Sequence, residues 1–331
     1  MDWFEKITGF REAGYDETQR QLVLRDGFLH HRSDHIRWSV GTLETPTLAQ
    51  LRKRAAGHAA GRGRTRVNCV VADARSLHSE AHHAGALFQV ASQFNLLEMV
   101  GPDVTPEHGI TRYEGDRTQG PVCAMAAGAA TIYRNYLVPM GHARGQRADG
   151  QIDCLADLGG SLGNDDGRLW TMRNGYAMCT AAGLDEIDQR LGSLDEQAVD
   201  ELRAKLRIGL HWQVDVTDLP EPGRRVSQAF CSALPVAYQR YPPHQWMRFA
   251  RPVLEAAYEA TMLAAVINRA SHGSATVFLT SLGGGAFGNQ PAWIHAAMGR
   301  GLNLVREAGL DVRLVSRTRP PQELQVLADA F

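Results

Sequence analysis

Residues 275–289 read Ala-Thr-Val-Phe-Leu-Thr-Ser-Leu-Gly-Gly-Gly-Ala-Phe-Gly-Asn, and the fold class follows from this run. Its first six residues are mostly apolar and β-branched, which predicts a buried strand. Three glycines come soon after the strand, and a helix is predicted from Trp293 to Ala308, where Gly309 stops it. A strand that leads through a glycine-rich turn into a helix is typical of α/β proteins.

Further strands and helices alternate along the chain around this run. Short apolar segments predict strands over residues 66–71, 86–91, 229–233 and 312–316. Small or apolar residues at helical spacing predict a buried helix over 120–136 and a long helix from Trp246 to about Ala270. The alternation predicts an α/β protein, a three-layer α/β/α sandwich with a mixed, largely parallel sheet.

The sandwich is predicted to carry two additions. Residues 1–65 form an N-terminal extension with strand-like segments at 21–24 and 35–40 and a helix over 48–60, capped by Thr47. Residues 61–64, Gly-Arg-Gly-Arg, predict a solvated linker. The sandwich then spans 66–331, with an insertion at about 140–220 that contains polar turns and acidic helical material.

Composition excludes several classes of protein. The 331 residues include 35 Lys or Arg and 36 Asp or Glu, and this balance argues against a nucleic-acid partner. No apolar run approaches the roughly 20 residues that span a bilayer, and no secretory signal is recognisable, so no membrane partner is expected. Five cysteines without a C-x-x-C pair indicate reduced thiols. We therefore expect a cytoplasmic protein, or one exported by a signal-independent route.

The glycine-rich turn is the strongest candidate for ligand binding. Glycine lets a ligand approach the backbone, and successive N–H groups beside a helix N-terminus suit a diphosphate. The turn is not a Walker A loop, because no Gly-Lys-Ser/Thr follows, and it is not a G-x-G-x-x-G fingerprint. The alternative interpretation is a tight structural turn.

Two other strands end in polar residues. Asp73 follows the strand over 66–71, where its carboxylate could accept from an adenine amino group or could cap a turn. Ser92, Gln93 and Asn95 follow the strand over 86–91. Because such groups are costly to bury unpaired, they indicate a polar ligand, unless nearby backbone satisfies them.

The loop over 101–121 delivers carboxylates to the N-terminus of the helix predicted over 120–136. Asp116 and Gln119 would lie where the helix dipole and free N–H groups point, and Glu114 is close by. A carboxylate there could orient a water molecule or a ribose hydroxyl, or it could serve only as a helix cap. Cys123 lies in the same turn, which makes a cysteine hydrolase a rival hypothesis, although its small apolar neighbours favour a buried, inert thiol.

Taken in order, these segments resemble a macrodomain. Val71-Ala72-Asp73 resembles the region whose Asp holds adenine, residues 90–94 resemble the strand that ends in Ala-Asn, and residues 278–289 resemble the second phosphate loop. Gly-Ala-Phe-Gly at 285–288 is similar to the sequence of poly(ADP-ribose) glycohydrolases. Residues 88–98, 113–123, 230–238 and 279–289 resemble the related MavL-type effector macrodomains, which remove ADP-ribose from arginine of ubiquitin. The chain departs from the glycohydrolases in having Ser92 in place of an Asn and in lacking their Gln-Glu-Glu.

The resemblance implies an ADP-ribosyl hydrolase that removes mono-ADP-ribose from a modified protein, with arginine-linked ADP-ribosyl ubiquitin as the example. From their position before the helix, we expect Asp116 as general base, with Glu114 as second choice and Gln119 beside them, and we expect no cofactor. The thirteen histidines show no metal-binding spacing, so no metal is expected. The missing Gln-Glu-Glu leaves a non-catalytic ADP-ribose reader as the alternative. The implied ADP-ribose ligands are Asp73, Ala74, Ser92, Gln93, Asn95, Gly283, Gly284, Gly285, Ala286, Phe287, Gly288 and Asn289.

Overall fold

A computed structural model describes residues 1–33, 35–58 and 62–331. Its α-helices are α1 (Trp3–Thr8), α2 (Tyr15–Gln21), α3 (Leu48–Ala55), α4 (Ala74–Ser79), α5 (Gln119–Ala126), α6 (Gly128–Ile132), α7 (Ala156–Ser161), α8 (Ala181–Gly192), α9 (Glu196–Arg203), α10 (Pro243–His272), α11 (Pro291–Leu304) and α12 (Gln322–Asp329). Within these described ranges, none of the helices has the length and apolar character of a membrane-spanning segment.

In the described residues, the strands form one large sheet and three small ones. They are β1 (Val23–Arg25), β2 (Phe28–His30), β3 (Arg37–Ser39), β4 (Thr42–Glu44), β5 (Arg66–Val71), β6 (Leu87–Ala91), β7 (Pro139–Met140), β8 (Ala143–Arg144), β9 (Trp170–Arg173), β10 (Tyr176–Cys179), β11 (Gly209–Asp215), β12 (Arg225–Cys231), β13 (Thr276–Leu279) and β14 (Asp311–Ser316). The seven-stranded sheet has the order β4-β11-β12-β6-β13-β14-β5. The strands from β12 to β5 in this order are parallel. At the other edge, β11 pairs in the antiparallel direction with both β12 and β4. The predicted mixed, largely parallel sheet is confirmed.

Helices cover both faces of this sheet, as neighbouring residues of β6 show. The Phe88 ring stacks on His78 of α4, with ring centroids 3.7 Å apart. Gln89 points the other way and donates to Thr261 of α10. Because successive strand residues face opposite sides, α4 and α10 lie on opposite faces. The predicted three-layer sandwich is therefore confirmed, and β6 is apolar almost throughout because both of its faces are buried.

The long predicted helix is confirmed as α10, which ends at His272 with Gly273 in the left-handed conformation. The single helix predicted over 120–136 is wrong. Ala127 leaves the helical conformation (φ −117°, ψ 56°) and separates α5 from α6, and a π-helical turn over 133–137 follows. The break frees the N–H of Gly128, which donates to the Thr217 hydroxyl. Small-residue composition could not reveal this break, because a distant side chain stabilises it.

The two predicted additions share contacts with the sandwich. β4, within residues 1–65, pairs with β11, which itself belongs to the segment expected as an insertion. The strand-like segments near the N-terminus become β1 and β3, which form a small antiparallel sheet with β2. Thr47 caps α3 in a capping box with Gln50, as expected for a helix start. The end of the predicted helix and the first residue of the predicted linker, residues 59–61, lie outside the described residues. The division of the chain at residue 65 stays a prediction.

A substitution at Gly120 tests the contact between α5 and β6. A Cβ atom at Gly120 would lie 2.0 Å from the backbone oxygen of Ala91, so an alanine forces the helix away from the strand. We expect Gly120→Ala to lower the free energy of unfolding by about 1–3 kcal/mol, the range that is typical of overpacking. Urea unfolding measures the change. Gly150→Ala is the matched control, because nothing lies within 4 Å of its added Cβ. Equal losses in both variants would contradict the proposed contact.

Candidate functional site

A cavity of about 550 Å³ lies along the carboxyl ends of the parallel strands. Its lining includes Ala72 after β5, Arg317 after β14, Thr280 after β13, Ser92 after β6 and Ala233 after β12. These strands are consecutive neighbours in the sheet, with four gaps between them. At about 4.8 Å per gap, the cavity extends over roughly 19 Å. Its volume is in the usual range for small-molecule sites, and its length suits an extended ligand.

The two ends of the cavity carry different ionisable side chains, arginines at one end and carboxyl groups at the other. Arg317 and Arg319 line the end at β14 and β5, and within the described ranges neither forms an ion pair. Their side chains are exposed, and no pattern in the sequence indicated that they line a cavity. Glu98 and Asp116 line the other end, near β6. A ligand with an anionic part and a cationic part would find both charges complemented.

The glycine-rich turn between β13 and α11 lies between these ends and is held in one shape. Gly283 (φ +73°) and Gly288 (φ +70°) adopt the left-handed conformation that disfavours other residues. Asn289 closes the turn, because its N–H donates to the Gly283 carbonyl and its side-chain amide donates to Leu234. The Asn289 side chain is therefore structural. Gly284, Gly288 and Asn289 lie outside the cavity lining, and Gly283, Gly285, Ala286 and Phe287 are part of it.

Three consecutive backbone N–H groups of this turn take no part in its internal hydrogen bonds. Within the described chain, no protein acceptor receives the N–H groups of Gly285, Ala286 and Phe287. Consecutive free N–H groups of this kind form an anion-binding concavity. Diphosphate binding by this turn stays a prediction, and these N–H groups are the donors available for it.

Asp73 caps α4, which was the alternative interpretation of this residue. Its Oδ1 atom accepts from the Ser76 N–H at 3.1 Å. Ala72 and Ala74 on either side line the cavity, and Asp73 itself does not. The structure therefore places Asp73 at the margin of the end lined by Arg317 and Arg319, with Oδ2 engaged by none of the described residues.

The polar residues after β6 are largely satisfied by nearby groups. The Ser92 hydroxyl donates to the Gln93 carbonyl, and Gln93 Oε1 accepts from Met99 N. Asn95 is fully buried, donates to Gln151 and accepts from Leu97, and lies outside the cavity. Ser92 and Gln93 do line the cavity, and Gln93 Nε2 donates to no described residue. Gln93 thus retains a donor for a ligand, and Asn95 is structural.

Asp116 is the predicted carboxylate that reaches the cavity. Its Oδ1 accepts from Thr118 N at 2.8 Å, and no described residue engages Oδ2. Glu114 is exposed and lies outside the lining. Gln119 lines the cavity, but its amide donates to the Gln89 carbonyl and accepts from the Ala91 N–H, both at 2.8 Å. Gln119 therefore anchors β6, a structural role that the sequence did not predict.

Three aromatic rings form a wall at the acidic end. Tyr176 of β10 lies 5.1 Å from Tyr238 and 5.3 Å from Phe287, measured between ring centroids. The Tyr176 hydroxyl donates to the Met99 carbonyl at 2.6 Å, which fixes the ring. All three residues line the cavity. Sequence reasoning missed Tyr176, because β10 lies in the expected insertion, far from the strand ends that signalled a site. Tyr238 lies in the run 230–238 that carried the resemblance, but it was not singled out as a site residue.

Glu98 is a second carboxyl group that sequence reasoning did not assign to the site. It lines the cavity with a relative exposure of 2%. The nearest cation is Arg134, whose Nη2 is 3.7 Å from Glu98 Oε1. Burial raises the pKa of Glu98 to about 8, and Arg134 opposes this shift. Its position after an apolar run was the only signal in the sequence.

The structure argues against the rival hypothesis of a cysteine hydrolase that uses Cys123. Cys123 is fully buried and lies outside the cavity lining. Burial raises the pKa of its thiol far above the usual range, so the reactive thiolate is not available.

One cluster of possible metal ligands occurs in the described residues, although the sequence shows no metal-binding spacing. Glu80, His82 and His83 bring three ligand atoms within 4.8 Å of one another. Both ring nitrogens of His83 are already bonded, to Leu77 O and to Arg313 Nη1. The cluster also lies outside the cavity, so it adds nothing to the site.

Comparison with models of protein families finds no match, and no curated protein matches the chain. Among solved structures, poly(ADP-ribose) glycohydrolase from Deinococcus radiodurans in complex with ADP-ribose is similar, with a TM-score of 0.46 and 15% identity over 87% of this chain and 91% of that chain. Poly(ADP-ribose) glycohydrolase from Thermomonospora curvata bound to the inhibitor ADP-HPD has a TM-score of 0.48 and 14% identity over 92% of this chain and 94% of that chain.

Glu98 should make stability depend on pH. Its pKa is about 8 in the folded protein and near the ordinary value of 4.5 when unfolded, so only the folded state keeps the proton between these values. Glu98 therefore contributes a loss of stability as the pH rises through this window, by at most about 1.4 kcal/mol per pH unit, which is measured as the difference in slope between the wild type and Glu98→Gln. We expect Glu98→Gln to remove this slope in urea unfolding at pH 5 to 8. Parallel pH profiles of the wild type and the variant would show that Glu98 titrates normally.

Proposed function

We propose that this cavity binds ADP-ribose and that the protein hydrolyses the glycosidic bond between ADP-ribose and a modified protein. One observation carries the proposal. A single cavity crosses the carboxyl ends of five parallel strands, with free backbone donors in its middle, arginines at one end and carboxyl groups at the other. The macrodomain resemblance of the sequence supports the same ligand.

The diphosphate is assigned to the free N–H groups of Gly285, Ala286 and Phe287. Adenosine then lies toward β14 and β5, beside Ala72, Ala74 and Arg317, which line that end. The distal ribose, which carries the scissile bond, lies toward β6. This orientation places the reacting carbon at the end where Asp116 and Glu98 lie.

Hydrolysis of such a bond passes through an oxocarbenium-like transition state. We assign Asp116 Oδ2 as the general base that orients and deprotonates the attacking water molecule. The Thr118 N–H holds Oδ1 and thereby fixes the carboxylate plane. The water oxygen bonds to the ribose carbon, the electron pair of the broken bond stays with the leaving nitrogen, and the water proton passes to Asp116.

Arginine is the linkage that the acidic end favours. A guanidinium group stacks on aromatic faces and pairs with carboxylates. The wall of Tyr176, Tyr238 and Phe287 beside Asp116 offers both interactions. Ubiquitin as the modified protein is supported only by the resemblance to MavL-type macrodomains.

A non-catalytic reader of ADP-ribose is the second candidate. The observation in its favour is the absence of the Gln-Glu-Glu of the glycohydrolases. Tyr113-Glu114-x-Asp116 with Gln119 stands in that region, and Gln119 anchors β6. A reader and a hydrolase share the ligand and differ in turnover.

Asp116→Asn tests the hydrolase. We expect turnover of arginine-ADP-ribosylated ubiquitin, followed by mass spectrometry, to fall about 10²–10⁴-fold because the general base is lost. Calorimetric binding of free ADP-ribose should change only a few-fold. Asp149→Asn is the matched control, because Asp149 is exposed and is not part of the cavity lining.

Three results would overturn parts of this proposal. Unchanged turnover in Asp116→Asn would remove Asp116 from its role. ADP-ribose binding by the wild type without turnover would favour the reader. A wild-type protein that neither binds ADP-ribose nor releases it from arginine would contradict the proposed function.

A further inference from the structure

Two arginines at one end of the cavity have no role in the proposed reaction. In the described part of the chain, Arg317 and Arg319 are the basic residues of the cavity lining, and both are exposed. Neither guanidinium forms an ion pair, a hydrogen bond or a ring contact with another described residue. Adenosine, which is assigned to this end, carries no charge at neutral pH. The ligand assigned so far therefore leaves both cations without a partner.

The chain after β14 carries these arginines away from the glycine-rich turn. Residues 315–319 and Pro321 line the cavity, and Pro321 directly precedes α12. α12 packs against β5, the outermost strand of the sheet, where the Leu324 carbonyl accepts from the Cys69 thiol at 3.7 Å. The segment from Arg317 to Pro321 therefore leads from the end of β14 toward β5, away from β13 and its turn.

The surroundings of the two arginines add to their positive charge more than they reduce it. Among the described residues, no protein acceptor receives the N–H groups of Gln322 and Glu323, which open α12 next to the lining residue Pro321. A helix N-terminus of this kind favours anions. The carboxylates of Asp73 and Glu323 are close to this end of the cavity, but neither residue lines it, and Asp73 caps α4. The lining itself is therefore cationic here.

We propose that Arg317 and Arg319 bind a phosphate group on the adenosine ribose, so that the preferred ligand is a phosphorylated ADP-ribose such as 2′-phospho-ADP-ribose. This inference rests on the proposed function, because it needs adenosine at this end of the cavity. A phosphate monoester carries a charge of about −2 at neutral pH and offers three acceptor oxygens. The guanidinium fork pairs with two such oxygens at once. Dinucleotide-binding folds likewise use an arginine beside the adenosine ribose to accommodate a 2′-phosphate.

The diphosphate is the other anionic group of the ligand that competes for these arginines. The free N–H groups of Gly285, Ala286 and Phe287 already supply donors for it, and they belong to the turn after β13, one strand away from β14. If the arginines served the diphosphate, their loss would weaken the binding of every ADP-ribose ligand alike. If they hold a phosphate on the adenosine ribose, the loss is largely confined to the phosphorylated ligand. One experiment therefore distinguishes the two assignments.

The experiment compares ADP-ribose with 2′-phospho-ADP-ribose by calorimetric titration of the full chain at neutral pH. We expect the wild type to bind the phosphorylated ligand about tenfold more tightly, which is the gain typical of one charge-assisted hydrogen bond. This preference should shrink at high ionic strength, because both arginines are exposed and salt screens their charges.

Substitutions of the two arginines and a control complete the test. A double variant with Arg317→Gln and Arg319→Gln should bind the two ligands with nearly equal affinity, because it loses both charges. Its affinity for ADP-ribose should fall only a few-fold. Arginine-to-lysine replacements at both positions should keep part of the preference, because they keep the charge and lose the fork. Arg25→Gln is the matched control and should follow the wild type, because Arg25 is exposed in β1 and is not part of the cavity lining.

The outcomes separate this inference from the proposed function. If the wild type binds both ligands equally well, the arginines hold no phosphate on the adenosine ribose, and the proposed function stands. A double variant that loses affinity for both ligands by the same factor would assign the arginines to the diphosphate and refute the inference. A dimer of ADP-ribose that gains as much affinity as the phosphorylated ligand would overturn the assignment to a phosphate monoester. If neither ligand binds, the proposed function fails as well.

Discussion

The contact between β6 and the first turn of α5 determines the geometry of the whole site. β13 pairs with β6 only at Leu87 and Phe88, and beyond this point the Gln119 amide bonds to the free edge of β6. Gly120 makes this close approach possible, because its missing Cβ leaves space for the Ala91 carbonyl. The cavity opens where β13 diverges from β6, and Asp116 enters it because α5 is fixed there.

Around this contact, the fold places three kinds of chemical group at different positions along one cavity. The glycine-rich turn after β13 offers unpaired backbone donors, and the residues after β14 supply two arginines. The acidic end combines Asp116 with aromatic rings from the β9–β10 hairpin and from the turns after β12 and β13. Because a rigid parallel sheet sets the spacing of its strand ends, a ligand that spans them meets all three groups at fixed distances.

Local sequence patterns predicted the elements of the fold well. The run over 276–279 is recognisable because buried parallel strands are mostly apolar. The runs over 66–71 and 311–316 are recognisable because apolar residues recur between polar ones. The glycine-rich turn and Asp116 were found because they adjoin a predicted strand and a predicted helix. The sequence patterns did not assign Tyr176, Glu98 or Arg317 to the site. Tyr176 belongs to a distant hairpin, Glu98 is a buried carboxyl group and Arg317 follows a strand, and only the tertiary fold brings these residues together. The same limit explains Asp73 and Asn95, whose side chains bond to their own neighbourhood.

A crystal structure of the protein with ADP-ribose is the most direct test of the central claim, that one cavity across the strand ends holds the whole ligand. The account predicts the diphosphate within hydrogen-bond distance of the Gly285, Ala286 and Phe287 N–H groups, adenosine beside Arg317 and the distal ribose beside Asp116. A ligand in the opposite orientation, or one bound outside this cavity, would contradict it.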